Sequence, residues 1–302
     1  MRRNVLIIDD AKEQAEGLAK GLTNLLPDYS FEFRFKESEI IEAIENRFFS
    51  LAIVDIRMDS FSLDGIDIVK KIFEINPFSK VIIVSAFKDE YFLQLKDLLL
   101  TGKIIDVLDK EGFEIWLPKL KTKIEEYYSG LDKEPAEINN ALLQFYSEAK
   151  NETDTSRKGE KFEHFISLIF QSIGFSQVLK RVKDKSLNEV DLIIRNDIED
   201  SFLSKFGKYI LIECKNKPEE KVNKNDFILF NTKLKNTNGL AELGIIATTG
   251  HITRNTYLEA LRDSGEVRKI LFLSNPEIEK LIKASNKLSE FKNLIDSQVK
   301  DN

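Results

Sequence analysis

The sequence predicts an α/β protein of two domains: a doubly wound, five-stranded parallel sheet, then an α/β domain with a mixed sheet. Three observations predict this. Short apolar runs alternate with amphipathic stretches over residues 1–110. A breaker-rich stretch interrupts the pattern at 129–158. The alternation then resumes with a different order of elements. A chain of 302 residues accommodates two domains at roughly 100–200 residues each.

The strand candidates at 5–8, 51–54, 81–84 and 104–108 are nearly continuous in apolar character, as expected of strands buried on both faces of a parallel sheet. FEFRF at 31–35 alternates, which suits an edge strand. Helical patterns fall near 11–26, 38–48, 65–75 and 89–100, with a last helix near 114–128. Five strand–helix repeats are the pattern of a doubly wound fold. SGLDKEP at 129–135 breaks the chain, 138–150 reads as a helix, and NETDTSRKG is a polar linker. We therefore expect a first domain over 1–129, a helical linker over 130–158 and a second domain over 159–302. The second opens with KFEHFISLIFQSIGF, where Phe162, Phe165, Ile166, Ile169, Phe170 and Ile173 share one helical face. Strands are expected at 190–194, 209–214, 244–248 and 270–273, and helices near 223–236, 253–263 and 275–296.

Composition narrows the function classes. The chain is 42% hydrophobic and 32% charged, the profile of a globular protein. No apolar run reaches the roughly 18 residues of a membrane span. The run in MRRNVLIIDD is too short for a signal peptide and reads as a strand. The single cysteine, Cys214, permits no intrachain disulfide, so a reducing cytoplasm is the expected location. With only His164 and His251, a Cys/His zinc site is excluded, and any metal is expected on oxygen ligands, as Mg²⁺ or Mn²⁺. Residues 1–130 carry 18 basic and 24 acidic side chains, and the remainder carries 27 of each. The second half is thus less hostile to a polyanion than the first, without being a strongly basic binder.

The first domain carries a constellation with a chemical logic. A carboxylate attacks a phosphoryl donor poorly, because both are anionic; acidic groups gathered around one Mg²⁺ overcome this. Asp9 and Asp10 follow the first strand, Asp55 ends the third, Ser85 ends the fourth and Lys110 follows the fifth. In a doubly wound sheet these strand ends meet at the ligand crevice. Over about 128 residues the domain resembles the receiver domains of response regulators, with their flavodoxin-like fold. The resemblance implies Asp55 as phosphoacceptor and Asp9, Asp10 and Asp55 as Mg²⁺ ligands with the Arg57 carbonyl. It implies Ser85 and Lys110 as phosphoryl-binding groups, and a sensor histidine kinase as partner. DIRMDSFSLDG matches the family's loop through Met58 and Asp64–Gly65. Asp59 and Glu111 replace the family's prolines, and the loop is two residues longer before Gly65. Val107 stands where the family places its switch aromatic.

In KYILIECKNK, alternation puts Glu213 and Lys215 side by side on one face of a strand. Asp191 lies among apolar residues of another strand, NEVDLII. Two carboxylates can hold Mg²⁺ while a lysine orients or helps deprotonate a water. Residues 159–275 resemble the PD-(D/E)xK, restriction-endonuclease-like fold, and Mrr-type enzymes in particular: FE in the opening helix, a later GF, D-x(21)-E-C-K, and GIIATTG. The resemblance implies Asp191 and Glu213 as metal ligands with the Cys214 carbonyl. It implies Lys215 as catalytic lysine and Glu163, or Glu160 one turn earlier, as accessory acid. Cys214 itself reads as a small core residue. Thr248, Thr249 and Gly250 read equally as part of a nucleic-acid groove or as a turn. His164 is expected to be solvated and His251 to belong to a loop. Lys215, Lys217, Lys221 and Lys224 read as phosphate contacts or as a solvated face.

The expected function is a two-component response regulator in which Asp55 phosphorylation controls a Mg²⁺-dependent endonuclease, through a homodimer, with DNA rather than RNA as the leading substrate. A role in anti-phage defence suits a toxic activity held under a switch. The competing reading is an output domain that binds nucleic acid or protein without catalysis.

Overall fold

A computed structural model describes residues 3–86, 90–131, 135–183, 189–262 and 268–300. Asp89 and Asp263, expected at helix ends, and 132–134 within the expected break lie outside the described residues. The chain folds as two compact units, Met1–Pro135 and Ala136–Asn302.

The first unit runs β1 (Asn4–Ile8), α1 (Lys12–Leu25), β2 (Ser30–Arg34), α2 (Glu37–Asn46), β3 (Leu51–Asp55), α3 (Gly65–Ile75), β4 (Lys80–Ser85), α4 (Phe92–Leu100), β5 (Ile104–Asp109) and α5 (Phe113–Leu131). All five strands are parallel, in the order β2-β1-β3-β4-β5. The two-residue period divides the core into two layers. Leu6, Ile8, Ala52, Val54, Val81 and Ile83 belong to one cluster, with buried residues of α2, α3 and α4. Val5, Ile7, Leu51, Ile53, Ile82 and Val84 belong to the other, with α1 and α5. The alternating run FEFRF forms the edge strand β2, half-buried throughout. Tyr128 fastens α5 to the sheet: its hydroxyl lies 2.6 Å from Ser50 Oγ and donates to the Asn4 carbonyl at 3.0 Å.

The second unit contains α6 (Pro135–Asn151), α7 (Thr155–Ile173), β6 (Val178–Lys183), β7 (Glu189–Arg195), a 3-10 turn (Leu203–Phe206), β8 (Tyr209–Lys215), β9 (Lys221–Val222), α8 (Lys224–Lys235), β10 (Ala241–Thr248), β11 (His251–Ile252), α9 (Arg254–Arg262), β12 (Lys269–Leu273), α10 (Asn275–Lys283) and α11 (Lys287–Lys300). Its sheet has the order β12-β10-β8-β7-β6. β6, β7 and β8 pair antiparallel, whereas β8, β10 and β12 pair parallel, so the sheet is mixed as the sequence predicts. α6 packs within this unit, its Tyr146 ring stacked on Phe165 of α7 with centroids 4.9 Å apart. α7 starts at an Asp154 cap on the Arg157 N–H and stops at Gly174, whose φ of 124° an L side chain rarely adopts.

Two expectations change. The helix expected over 275–296 is two helices, because Ala284 leaves the helical conformation (φ −63°, ψ 133°). The Lys287 ammonium, at the start of α11, then donates to the Ile282 and Ala284 carbonyls at the end of α10. β6 adds a strand to those expected and pairs with β7. Among the described residues no helix is long and apolar enough to cross a membrane.

Candidate active sites

The parallel sheet delivers its acids to one edge because each apolar strand stops where its polar residue begins. Asp9 and Asp55 are 5% and 6% exposed, and Ser85 is fully buried. Lys110 donates to Asp9 Oδ2 at 2.7 Å and to Asp55 Oδ2 at 2.6 Å. Its own N–H bonds the Ser85 carbonyl at 3.1 Å, which joins the ends of β4 and β5. Asp9, Asp10 and Asp55 each offer an oxygen within 4.8 Å of the others, the one such group of three among the described residues. Like charges this close cost about 4 kcal/mol per pair at an effective dielectric near 20. With Lys110 as the one cation bonded to it among the described residues, the ionised cluster is two negative charges in excess, which fits an oxygen-ligated divalent ion. Burial raises the Asp55 carboxyl above its ordinary range; Lys110 opposes this and Asp9 adds to it. Burial disfavours charge on Lys110, yet its bonds to Asp55 and Asp9 prevail and hold the ammonium above its usual value.

The loop after Asp55 is shaped around this edge. Gly65 donates to the Ile56 carbonyl at 2.8 Å, and a Cβ on it would lie 2.1 Å from the Asp55 carbonyl oxygen, so only glycine fits. Asp64 caps α3 through the Asp67 N–H. Asp59, in place of a proline, pairs with Arg57 at 2.8 Å. Ser60, from the longer loop, donates to Asp10 Oδ2 at 3.2 Å. Val107 is half-buried against the α2–α4 core layer.

In the second unit, Leu192 and Ile193 of β7 oppose Ile212 and Leu211 of β8. The pleat therefore turns Asp191 and Glu213 to the same sheet face. Glu213 is 8% exposed. Lys215 Nζ donates to Glu213 Oε1 at 2.8 Å, and Lys233 Nζ, from α8, to Glu213 Oε2 at 2.9 Å. Asp191 Oδ2 accepts from the Cys214 N–H at 2.7 Å. Burial first, then the Glu213 charge and, more weakly, Glu163, push the Asp191 carboxyl up to about 6 against the opposing Cys214 bond. Glu213 of β8 and Glu163 of α7 thus both act on Asp191, although these three carboxylates do not gather within 4.8 Å of one another as the receiver acids do. Burial opposes charge on Lys215, but the hydrogen bond and field of Glu213 prevail and raise it.

The first unit matches the family model described as response regulator receiver domain over residues 5–111. The second matches the restriction endonuclease model over residues 155–282. The chain is a receiver domain joined to a restriction-endonuclease-like domain. Among solved structures it is similar to a CheY-like receiver domain protein from Methanospirillum hungatei JF-1 (24% identity, 43% of this chain and 99% of that one, TM-score 0.36). It is also similar to the Francisella response regulator 1452 receiver domain (22% identity, 43% and 99%, TM-score 0.35). A third is the signal receiver domain of an HD domain-containing protein from Pseudomonas fluorescens Pf-5 (19% identity, 43% and 99%, TM-score 0.36). No curated protein matches the chain.

The nuclease-like domain holds one residue at its acidic centre that sequence reasoning passes over, Lys233. Its only sequence signal is a position beside the buried stripe Phe227, Phe230 and Leu234 of α8. Thr248, Thr249 and Gly250 form a turn that clamps the end of β8. Thr248 Oγ1 donates to the Lys215 carbonyl at 2.9 Å and Thr249 Oγ1 to Asn216 Oδ1 at 2.9 Å. A Cβ at Gly250 would lie 2.2 Å from the Glu220 carbonyl oxygen. His164 is half-buried rather than fully solvated. It packs edge-on against Phe145 of α6, centroids 5.7 Å apart, and burial with the nearby Lys180 lowers its imidazole to about 4. His251 lies exposed in β11 rather than in a loop. Burial, and then the three carboxylates, push the Cys214 thiol well above its usual value, which makes it unreactive. Lys217 and Lys224 pair with Glu220 and Glu259 at 2.8 and 2.9 Å.

Proposed function

We propose that this chain is a response regulator in which phosphorylation of Asp55 controls a Mg²⁺-dependent DNA endonuclease. The observation that carries the proposal is that each unit gathers carboxylates from separate elements around a lysine. Mg²⁺ on Asp9, Asp10 and Asp55 in one unit, and on Asp191 and Glu213 in the other, would supply charge neutralisation at a phosphate. An Asp55 oxygen attacks the phosphorus of a sensor histidine kinase's phosphohistidine; the O–P bond forms as the P–N bond breaks, the imidazole leaves with a proton, and Asp55 carries the acyl phosphate. Lys110 then leaves its carboxylate partners to meet the phosphoryl oxygens, together with the Ser85 hydroxyl.

In the nuclease-like domain, Lys215 is held as an ammonium. It orients the attacking water and faces the developing negative charge. Glu213 fixes Lys215, and Glu163 serves as the accessory acid. Acyl phosphate shifts the population of receiver conformers and so the pairing of chains into a homodimer. Such a licence suits an activity that would otherwise damage the host genome, as in anti-phage defence in the cytoplasm. The test is nicking of supercoiled plasmid with Mg²⁺ and phosphodonor. Wild type should cut, and Lys215→Ala should cut at least about a hundredfold more slowly. Equal rates would refute the assignment of Lys215.

A further inference from the structure

A cavity of about 450 Å³ opens on the sheet face that carries Glu213, and Lys233 stands on its rim. Its floor is the register-aligned row Leu179, Ile193 and Leu211 across β6, β7 and β8. α8 covers the β10 side of this face, with Phe230 and Leu234 against Gly244, and leaves Ile193 and Tyr209 half-exposed. Half-wet apolar walls beside a charged centre are the mark of a ligand site. The rim is polar. The Asn236 and Asn238 carboxamides line it and have no hydrogen-bond partner among the described residues.

We propose that this cavity receives one nucleobase of the DNA strand whose phosphate lies at Glu213. The proposal rests on the phosphodiesterase reading of that site. The volume lies in the range of small-ligand pockets, roughly 300–1,000 Å³. The row Leu179–Ile193–Leu211 is two residues along the strands from Asp191 and Glu213, about 7 Å at 3.3 Å per residue, the reach from a phosphate to its own base. Tyr209 supplies a flat ring for stacking, the two carboxamides supply donors and acceptors for a base edge, and Lys233 supplies a cation where cavity and acids meet. An apolar peptide side chain would use the floor but leave Lys233 and both carboxamides without a role.

A base must leave the helical stack to enter, and unpairing costs least at a mismatch. The experiment uses the full chain in EDTA and compares a fully paired duplex with the same duplex carrying one central mismatch. Wild type should bind the mismatched duplex at least about tenfold more tightly. Ile193→Trp fills the floor. Leu240→Trp fills the mouth from a side chain that is 51% exposed, and so spares the core. Both variants should lose the preference and keep their affinity for the paired duplex. Equal binding of the two duplexes by wild type, or a preference that survives both variants, overturns the pocket while leaving the phosphodiesterase reading intact. Failure of wild type to bind either duplex also overturns the pocket, whereas the phosphodiesterase reading is decided by the nicking assay.

Discussion

At the residue scale, the centre of the nuclease-like domain is a carboxylate shared by two ammonium groups. Glu213 gives one oxygen to Lys215 and the other to Lys233. Lys215 follows from strand alternation alone, since i and i+2 share a face. Lys233 arrives from a helix 20 residues on, and no short-range spacing separates it from Lys235 on the same helix. A cation bound at Glu213 must displace Lys233 and bear its repulsion, and both effects weaken metal binding. Lys233→Met should therefore bind Mn²⁺ about tenfold more tightly, the equivalent of about 1.4 kcal/mol. Calorimetric titration in an Asp10→Asn background, which removes a receiver acid, reads the second site. Unchanged or weaker affinity would contradict the competition. The receiver residues were easier to read. Asp9, Asp55, Ser85 and Lys110 each stand where an apolar strand ends, and a doubly wound topology brings such ends together. The cover on His164 is long-range information: its face of α7 points away from the apolar stripe, and Phe145 of α6 and Lys180 of β6 lie against it.

At the element scale, continuous apolar runs marked the inner strands β1, β3 and β4 but also β5, which is the second edge strand and half-buried, while alternation identified β2 as an edge. β6, VLKRVK, escaped notice because charged residues interleave its apolar ones, and its pairing with β7 is long-range information. The join between α10 and α11 escaped for a similar reason. The apolar periodicity runs through 275–296, while the break depends on Lys287. Its ammonium donates to the Ile282 carbonyl at 2.7 Å, the Ala284 carbonyl at 3.1 Å and Asn139 Oδ1 of α6 at 2.6 Å. Lys287→Met keeps the stem but leaves these acceptors without their donor. It should lower the stability of the second unit by about 1–3 kcal/mol in urea unfolding. A variant as stable as wild type would show that the join is held by packing alone.

At the scale of the whole molecule, two units carry one kind of chemistry. In each, acids are buried at the end of a sheet, and burial raises a carboxyl while lysines restrain the repulsion. In the proposed scheme the first cluster receives a phosphoryl group and the second cleaves a phosphodiester, with the acyl phosphate setting the rate of cleavage. The most direct measurement is the rate of plasmid nicking in Mg²⁺ by wild type and Asp55→Ala, each with and without a small phosphodonor. The account predicts that the donor changes the wild-type rate by at least about tenfold and leaves the Asp55→Ala rate unmoved. A wild-type rate indifferent to the donor, while mass spectrometry registers the acyl phosphate on Asp55, would contradict it.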